Sequence, residues 1–439
     1  MNAHNLYGRR WLLIRLPLAI LGLALGVFVW GWIYPMPPSR ITLSAGLPGG
    51  AYELFAQRYT QEFASHGVHC EVLPSAGSAQ NLSRLRSQPA SADLAFVQGG
   101  FGWNSISEAT SASGNPQTLA AVDIEGLWLF SHHSDLTSLD QLRNLRVAAG
   151  PDGSGHRVLF RRLLAEQLIA ADAVQMSLLT GAAAVQALRQ GQLDAVFLVA
   201  SPQAPVVQEL VQSPGIHLAA LKLTAGIADR NNFLERRLLA QGSLGSSQPP
   251  QDMAILTTHT HLLASEALDP ALKRLATAVA VKVHGGQGTF HRAGEYPLLQ
   301  NSDFPAAPEA RQVLRRGLSV LERNLPFWWV QVLQRLLVIG LPILVTVVLL
   351  GWLIPLWLRW RLESRISRWY GELKFIEHDL ARDAIDMGGI GLNRIVGRVR
   401  LIERAVQGMA LPPELARRWY LLRHHVAFVK GRVREYQGR

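Results

Sequence analysis

The distribution of apolar residues divides the chain into three kinds of sequence. Two long uncharged apolar runs, Leu16–Tyr34 and Leu336–Trp357, are typical of membrane-spanning helices. Between them, residues 39–326 alternate short apolar stretches with stretches at helical spacing, which predicts strands alternating with helices. Residues 359–439 instead have apolar residues at heptad spacing.

The stretch Ile41–Tyr52 predicts a strand, a tight turn and the start of a helix. Ile41 and Leu43 alternate with small polar residues, and the glycines and proline within Gly46–Gly50 then end the strand. From Ala51 the apolar residues recur at helical spacing. The free N–H groups at the start of such a helix, at the positive end of its dipole, predict a cradle for an anion.

A second stretch, Arg146–Arg157, repeats this pattern, and its turn Ala149–Gly153 mirrors Ala45–Gly49. Each turn taken alone is compatible with an ordinary strand–helix connection. Neither turn ends in the Gly-Lys-Ser/Thr of a Walker loop or completes a G-x-G-x-x-G fingerprint. The repetition predicts two lobes whose helix N-termini face one cleft.

The rest of residues 39–326 continues the alternation of strand and helix patterns. Strands are predicted at 70–74, 94–98, 122–130, 174–179, 195–199 and 253–257, and helices at 79–85, 182–189, 268–284 and 306–323, with Ser78 as an N-cap. The strand at 122–130 is predicted to leave the first lobe, and the strand at 253–257 to return to it. Such alternation favours an α/β fold with largely parallel sheets.

The net charge of +11 on 439 residues is confined to the two ends of the chain. Residues 1–15 contain three arginines and no acidic residue, and residues 359–439 contain 17 Lys and Arg against 9 Asp and Glu. Residues 16–358 have no net charge. This distribution is that of a membrane protein with positive cytoplasmic ends, not that of a nucleic-acid-binding groove.

The two apolar runs therefore predict a two-pass protein of the cytoplasmic (inner) membrane. A cleaved signal peptide is the alternative for the first run, but Pro35-Met-Pro-Pro38 follows it instead of a small-residue cleavage site. Both termini, 1–15 and 359–439, are then cytoplasmic, and the intervening α/β region is extracytoplasmic. The heptad seams of the tail predict three helices that either pack on one another or form a coiled-coil contact between copies.

No set of residues predicts catalysis, a metal or a cofactor. The single cysteine, Cys70, excludes an internal disulfide and a cysteine-based metal site. His259 and His261 share one strand face without an evident third ligand, and no G-x-S-x-G elbow is present. We therefore expect a protein that is not an enzyme.

Four motifs in order resemble the TAXI-type solute receptors of TRAP transporters. They are Gly46-x-x-Gly-Gly-x-Tyr52, Gly77-Ser78-x-x-Asn81, the strand Asp93–Gln98 and Gly150-x-x-Gly-Ser-Gly-x-Arg157. The likeness covers roughly residues 40–322. The segment from Pro326-Phe-Trp-Trp329 to Tyr370-Gly-Glu-Leu373 is similar to the membrane-anchored branch of that family.

The resemblance implies a two-lobed type II periplasmic binding-protein fold that closes on a small organic anion or amino acid. Lobe 1 would comprise 39–125 and 254–325, and lobe 2 would comprise 126–253. By this likeness the ligand-binding residues are Gly49, Gly50, Tyr52, Ser78, Asn81 and Gln98 in lobe 1, and Gly153, Ser154, Gly155 and His156 in lobe 2. The family often has a small hydroxylated residue at the place of His156.

The predicted function is a membrane-tethered extracytoplasmic solute-binding protein that serves TRAP-type transport through a separate permease. The alternative is a sensor or scaffold that passes ligand binding through the cytoplasmic tail to a signalling partner. The tail is also where self-association would occur. Tyr52 is either a wall of the site or core packing, and Asn81 either binds the ligand or bonds a turn.

Overall fold

The computed structural model describes residues 20–22, 24, 26, 28, 31, 35–102, 114–245, 248–300, 302–382, 389–409 and 415–437. The chain divides into two compact units, Pro35–Gln334 and a second unit formed by Met1–Tyr34 with Arg335–Arg439. The predicted cytoplasmic segment 1–15 and most of the first apolar run, Leu16–Tyr34, lie outside the described residues.

The unit Pro35–Gln334 is built on one mixed sheet whose strands alternate with helices. The strands are β1 (Arg40–Ser44), β2 (His69–Leu73), β3 (Leu94–Gln98), β4 (Gln117–Ser131), β5 (Arg146–Ala148), β6 (Gln175–Ser177), β7 (Ala195–Ala200), β8 (His217–Leu218), β9 (Leu234–Leu239) and β10 (Met253–Ala264). The helices are α1 (Ala51–Ser65), α2 (Ser78–Arg86), α3 (Gly155–Glu166), α4 (Gly181–Arg189), α5 (Pro205–Val211), α6 (Thr224–Arg230), α7 (Pro270–His284), α8 (Pro308–Arg316), α9 (Val320–Asn324) and α10 (Phe327–Arg335).

The strand order β2-β1-β3-β10-β4-β7-β5-β6 divides the sheet into two parts. On one side β1 pairs in parallel with β2 and β3, and on the other β5 pairs in parallel with β6 and β7. The two long strands between them are antiparallel to their neighbours. The expectation of largely parallel sheets therefore holds for the outer strands of each part and is wrong for the central pair.

The two central strands connect the two parts. The first ten residues of β4 pair with the end of β10, and from Gly126 onward β4 pairs with β7. In β10, Met253–Thr258 pairs with β9 and Thr260–Ala264 pairs with β3. Both strands thus run from one hydrophobic core into the other. The predicted lobe limits at 125/126 and 253/254 stay a prediction.

Each lobe has its own apolar core. In lobe 1, α1 and α7 bury a shared set of side chains against β1 and β3, including Tyr59, Phe63 and Phe96. In lobe 2, Phe160 and Phe197 pack with ring centroids 4.8 Å apart between α3 and β7. The strands β4 and β10 run from one core into the other, so the lobes can move as bodies about those strands.

Two short strands and two helices of lobe 2 were not predicted from the sequence. They are β8, β9, α5 and α6, which are only two to seven residues long. Their apolar residues are too few to establish a period. The predicted strand 174–179 is shorter in the structure, and Ser78 is the first helical residue, with Gly77 as the N-cap.

The second unit contains the long helix α11 (Leu341–Arg382), preceded by a π turn at Leu336–Gly340, and the helices α12 (Gly389–Gln407) and α13 (Ala416–Gln437). Among the described residues, one helical segment is long and apolar enough to cross a membrane. It covers Phe327–Ile354 and overlaps the predicted run Leu336–Trp357.

The heptad residues of the tail pack against one another within a single copy of the chain. The buried seam comprises Ile366, Leu373, Ile376 and Leu380 of α11, Ile395, Val399, Ile402 and Val406 of α12, and Leu422, Val426, Val429 and Val433 of α13. Trp419 Nε1 donates to the carbonyl of Val406 at 2.8 Å, and Lys430 pairs with Glu403 at 2.7 Å. The structure thus shows the first of the two arrangements that the spacing allows, a three-helix bundle.

Candidate functional site

A cavity of about 440 Å³ lies between the two lobes of the unit Pro35–Gln334. Its lobe 1 wall is formed by the turn Gly46–Gly50, the start of α1 and the start of α2. Its lobe 2 wall is formed by the starts of α3, α4 and α5 and by the end of β7. The carboxyl ends of parallel strands and the following helix N-termini therefore meet at one place.

Five helix N-termini border this cavity. The N-caps Gly50, Gly77, Thr180 and Ala204 accept no first-turn N–H through a side chain. The first-turn N–H groups of a helix have no intrahelical acceptor. The starts of α1, α2 and α4 thus present backbone donors and positive dipole ends to a ligand, whereas α5 begins with Pro205, which has no N–H.

The fifth helix, α3, has a side-chain cap. Ser154 Oγ accepts the N–H of Arg157 at 3.3 Å, so this hydroxyl is occupied within the helix start. Ser154 is buried and does not line the cavity. Gly155 and His156, the first two helical residues, do line it.

The two lobes touch at the glycine turns. A Cβ on Gly77 would lie 3.4 Å from the Cα of Ser154, and Gly77 has a φ of +129°. A Cβ on Gly155 would lie 2.5 Å from Oε1 of Gln98 and 3.3 Å from Oγ of Ser78. Any larger residue at these points would hold the lobes apart. The described arrangement is therefore closed.

Tyr52, Ser78 and Gln98 form the polar part of the lobe 1 wall. Ser78 Oγ accepts the backbone N–H of Gln98 at 2.9 Å, which fixes the end of β3 against α2. The side-chain amide nitrogen of Gln98 is buried and has no hydrogen-bond partner among the described residues. Because buried polar groups are normally hydrogen-bonded, an acceptor atom of a ligand is expected to bind to this amide on the cavity wall.

Glu125 lies on β4 at the junction of the lobes, is buried, and is one of the residues that line the cavity. Tyr52 donates its hydroxyl to Glu125 Oε2 over 3.4 Å. Burial, and after it the nearby carboxylate of Asp123, raise the pKa of Glu125 to about 8. Burial also raises the pKa of Tyr52 well above its ordinary value.

His156 faces the cavity from lobe 2 as a neutral imidazole. Its Nδ1 accepts the backbone N–H of Val199 at 2.9 Å, so the ring proton resides on Nε2. Burial lowers the pKa of His156 to about 4. The side chain thus joins α3 to β7 and offers one N–H donor. The remainder of the lobe 2 wall is mainly aliphatic, with Leu179, Val196, Leu198, Ala200 and Val206.

Seven of the ten predicted binding residues line this cavity. They are Gly49, Gly50, Tyr52, Ser78, Gln98, Gly155 and His156. Gly153 and Ser154 lie in the adjoining turn, off the cavity wall. Their assignment as ligand contacts stays a prediction that this placement does not favour.

Asn81 is the third residue that the structure does not bring to the cavity. Its amide nitrogen donates to the carbonyls of Ala45 and Phe96 at 2.6 and 2.7 Å, and its oxygen accepts Ser44 Oγ at 2.6 Å. Both N–H groups and the oxygen of this fully buried side chain are thus hydrogen-bonded, and they connect β1, β3 and α2. The alternative in which Asn81 bonds the fold describes its contacts.

Glu125 and the N-termini of α4 and α5 were missed. No local pattern marks Glu125, because it sits within an apolar strand whose neighbours suggest only core. Thr180-Gly181 at the start of α4 carried a usable signal, since a threonine before a glycine and an alanine-rich helix is an N-terminal pattern. Among the described residues, no cluster of His, Cys, Asp and Glu has the arrangement of a metal site.

Comparison with family models matches residues 49–258 to the NMT1-like family. A comparison with curated proteins found no match. The strand order, the two lobes and the two crossing strands are those of the type II periplasmic binding-protein fold.

Solved structures with similar folds include three bacterial proteins. A Bordetella bronchiseptica protein is 18% identical, with 56% of this chain and 71% of that chain covered and a TM-score of 0.40. PhnD1 of Prochlorococcus marinus, in complex with methylphosphonate, is 14% identical over 58% and 88%, with a TM-score of 0.37. The periplasmic aliphatic sulphonate binding protein SsuA of Escherichia coli is 16% identical over 57% and 80%, with a TM-score of 0.32. At TM-scores this low, the ligands of those proteins carry no information about the ligand of this chain.

Proposed function

We propose that the unit Pro35–Gln334 binds a small organic anion or amino acid by closing its two lobes over it. The observation that carries this proposal is the interlobe cavity of about 440 Å³, bordered by five helix N-termini and by the unpaired buried amide of Gln98. A carboxylate needs several donors in a water-poor place, and this cavity supplies backbone and side-chain donors together.

The residues of the cavity walls also limit which ligands can bind. No Lys or Arg lines the cavity among the described residues, so the fixed donors and dipole ends would stabilise a carboxylate without a full positive charge. The lobe 2 wall is aliphatic and accommodates a hydrocarbon portion. The proposal assigns no residue as a nucleophile or as a general base. The proposed role is therefore binding without catalysis.

We further propose that the chain is a TAXI-type receptor of a TRAP transporter, tethered in the cytoplasmic membrane. The order of the four motifs supports the subfamily, and the apolar helical segment Phe327–Ile354 supports a tether. The charge distribution supports an extracytoplasmic binding domain with cytoplasmic ends. A permease that accepts the ligand from the closed lobes would be the partner.

A sensor or scaffold is the second candidate function, and one observation favours it. Helix α11 is continuous from Leu341 within the apolar segment to Arg382 within the three-helix bundle. A receptor that only delivers solute has no need of an ordered tail with its own core. In this alternative the bundle would transmit the effect of ligand binding to a signalling partner.

The proposal is tested by a thermal-shift screen of the full chain in detergent against dicarboxylates and amino acids. A ligand that binds the folded state should raise the midpoint, by an amount that increases with its concentration. Gln98→Leu should reduce the shift, because it removes the unpaired donor. Gln192→Leu, at an exposed position on lobe 2, is the control and should leave the shift unchanged. Shifts equal in both variants would contradict binding at this cavity.

A further inference from the structure

The cavity walls carry acidic groups and no basic side chain among the described residues. The ionisable side chains on the walls are Tyr52, Glu125, His156 and Glu209. Glu209 is paired with Arg189 at 3.1 Å on the lobe 2 side. His156 is held neutral by burial and by its bond from Val199. Glu125 is therefore the one buried carboxyl group on the wall for which the described residues supply no cation.

The residues around Glu125 make the environment of its carboxyl group more negative. Asp123 lies two residues away on the same strand, so its side chain leaves β4 on the same side. His291 Nε2 lies 3.9 Å from Asp123, and His259 also lies close enough to Asp123 to lower its pKa; neither histidine lines the cavity. The hydroxyl group of Tyr52 is the hydrogen-bond partner of Glu125, and the hydroxyl group of Thr260 lies close enough to lower the pKa of Glu125.

A carboxyl group in this position has two states that differ strongly in free energy. Burial holds it protonated near neutral pH when nothing cationic is beside it, since its pKa is about 8. A cation placed against it would lower that pKa and recover the Coulomb energy in a poorly solvated site. Glu125 is itself one of the residues that line the cavity, where a ligand cation would be bound.

We propose that the ligand carries a protonated amine and that the carboxylate of Glu125 is its counter-ion, which makes Glu125 the residue that determines specificity. This inference rests on the proposed function, since it requires that the interlobe cavity binds a small solute. The ligand's carboxylate then occupies the donors at the helix N-termini, and its hydrocarbon portion lies on the aliphatic lobe 2 wall. The class of ligand is a zwitterionic amino acid with an apolar side chain.

The opposite arrangement, in which protonated Glu125 donates to a ligand carboxylate, is separated from this one by proton exchange. Amine binding at pH 7 makes Glu125 lose its proton, so close to one proton is released per ligand bound. Donation to a carboxylate keeps the proton, so none is released. The affinity for an amine ligand should also increase about tenfold for each unit by which the pH is raised, up to about pH 8, and should level off above that pH.

Titration calorimetry on the full chain in detergent, in two buffers of different ionisation enthalpy, measures this exchange. The probes are L-leucine, 4-methylpentanoate, which lacks the amine, and 3-methylbutylamine, which lacks the carboxylate. We expect L-leucine to bind with release of one proton and 4-methylpentanoate to bind at least about tenfold more weakly. The amine probe should bind with the same proton release.

Glu125→Gln is the matching variant, with Glu71→Gln on the exposed face of β2 as its control. The variant should lose the preference for L-leucine over 4-methylpentanoate and lose proton release, and the control should keep both. Thermal unfolding of the unliganded variant checks that it is folded. If it is not, the proton count on the parent chain decides by itself.

Three outcomes separate the inference from the proposed function. Equal binding of L-leucine and 4-methylpentanoate, or binding of L-leucine without proton release, overturns the role of Glu125 and leaves the binding function standing. Binding of none of the three probes, together with no thermal shift from any dicarboxylate or amino acid, overturns the proposed function and the inference with it. Preference for the amine ligand with proton release supports both.

Discussion

Asn81 connects three elements of lobe 1 through bonds of 2.6–2.7 Å to Ser44, Ala45 and Phe96. Asn81→Ala should lower the free energy of unfolding of the binding unit by about 1–3 kcal/mol, because it leaves buried groups unpaired. The measurement is chemical denaturation of the full chain. Asn324→Ala, on the exposed helix α9, is the control and should change little. Unchanged stability with lost ligand affinity would instead place Asn81 in the binding site.

Gly155 stands where the two lobes meet, with Gln98 against it. Gly155→Ala should raise the dissociation constant of the ligand roughly tenfold or more, since overpacking a closed contact costs about 1–3 kcal/mol. Calorimetry measures the change. Gly286→Ala is the matched control, because a Cβ at that position meets open space. An affinity equal to that of the parent would mean that the lobes bind ligand without closing to this distance.

His284 is buried against Phe55 and Tyr59, and burial lowers its pKa to about 3. Since the unfolded state keeps an ordinary histidine pKa near 6.5, the unfolded state binds more protons between about pH 3 and 6.5. The contribution of His284 to stability should therefore fall as the pH drops below 6.5, by up to about 1.4 kcal/mol per pH unit.

His284→Leu should flatten that decline and His217→Leu, at an exposed strand, should not. Each variant is compared with the parent, because other buried groups also set the slope: His156 acts in the same direction as His284, and Glu125, whose pKa is raised, acts in the opposite direction. Denaturation midpoints at several pH values between 4.5 and 7 provide the measurement. A pH dependence of stability in His284→Leu equal to that of the parent chain would contradict the buried neutral state of His284.

At the scale of residues, the sequence could predict the glycine turns but not the partners of individual side chains. Gly49, Gly50 and Gly155 were found because a turn before a helix has a local signature. Asn81 and Glu125 have no such local signature, because their roles depend on which strands from other parts of the chain lie beside them. Asn81 meets Ala45 and Phe96 from distant parts of the sequence, and Glu125 meets the cavity only because β4 crosses between lobes.

At the scale of elements, the three tail helices bury a continuous seam within one copy of the chain. Leu373→Asp should unfold the bundle, because it places a charge in that seam. Phe375→Asp, two residues away and exposed, should leave it folded. Limited proteolysis of the full chain compares the two variants. Equal resistance to proteolysis would contradict the three-helix core.

The long strands show where element prediction fails. The sequence predicts 122–130 and 253–257, whereas β4 and β10 extend over Gln117–Ser131 and Met253–Ala264. Buried threonines and histidines such as Thr258, Thr260 and His261 interrupt the apolar pattern of β10. A strand that changes partners midway has no single buried face, so period-two alternation does not mark its full length.

At the scale of the whole molecule, the charge distribution predicts the topology. A reporter fused after Arg439 should be active only in the cytoplasm, and one inserted in the loop 242–250 only outside it, because positive segments stay cytoplasmic. Paired alkaline phosphatase and fluorescent-protein fusions measure this. An external C-terminus would contradict two spans, and N-terminal sequencing that finds cleavage after residue 34 would remove the first one.

The two-lobed architecture was predictable because the same strand–turn–helix pattern occurs twice, once in each of the two parts of the sheet. The order of strands within the sheet follows from no local feature. The way in which the chain returns from lobe 2 at β10 was indicated only by a short apolar stretch after a loop rich in glycine, serine and proline.

The central claim is that a small solute binds between the two glycine turns. A crystal structure of the chain with the solute that gives the largest thermal shift tests it most directly. The account predicts density for one ligand within about 4 Å of Tyr52, Gln98 and His156, with both lobes in contact. Density confined to the second cavity, of about 240 Å³ beside Glu62 and Lys282, or to the protein surface, would contradict it.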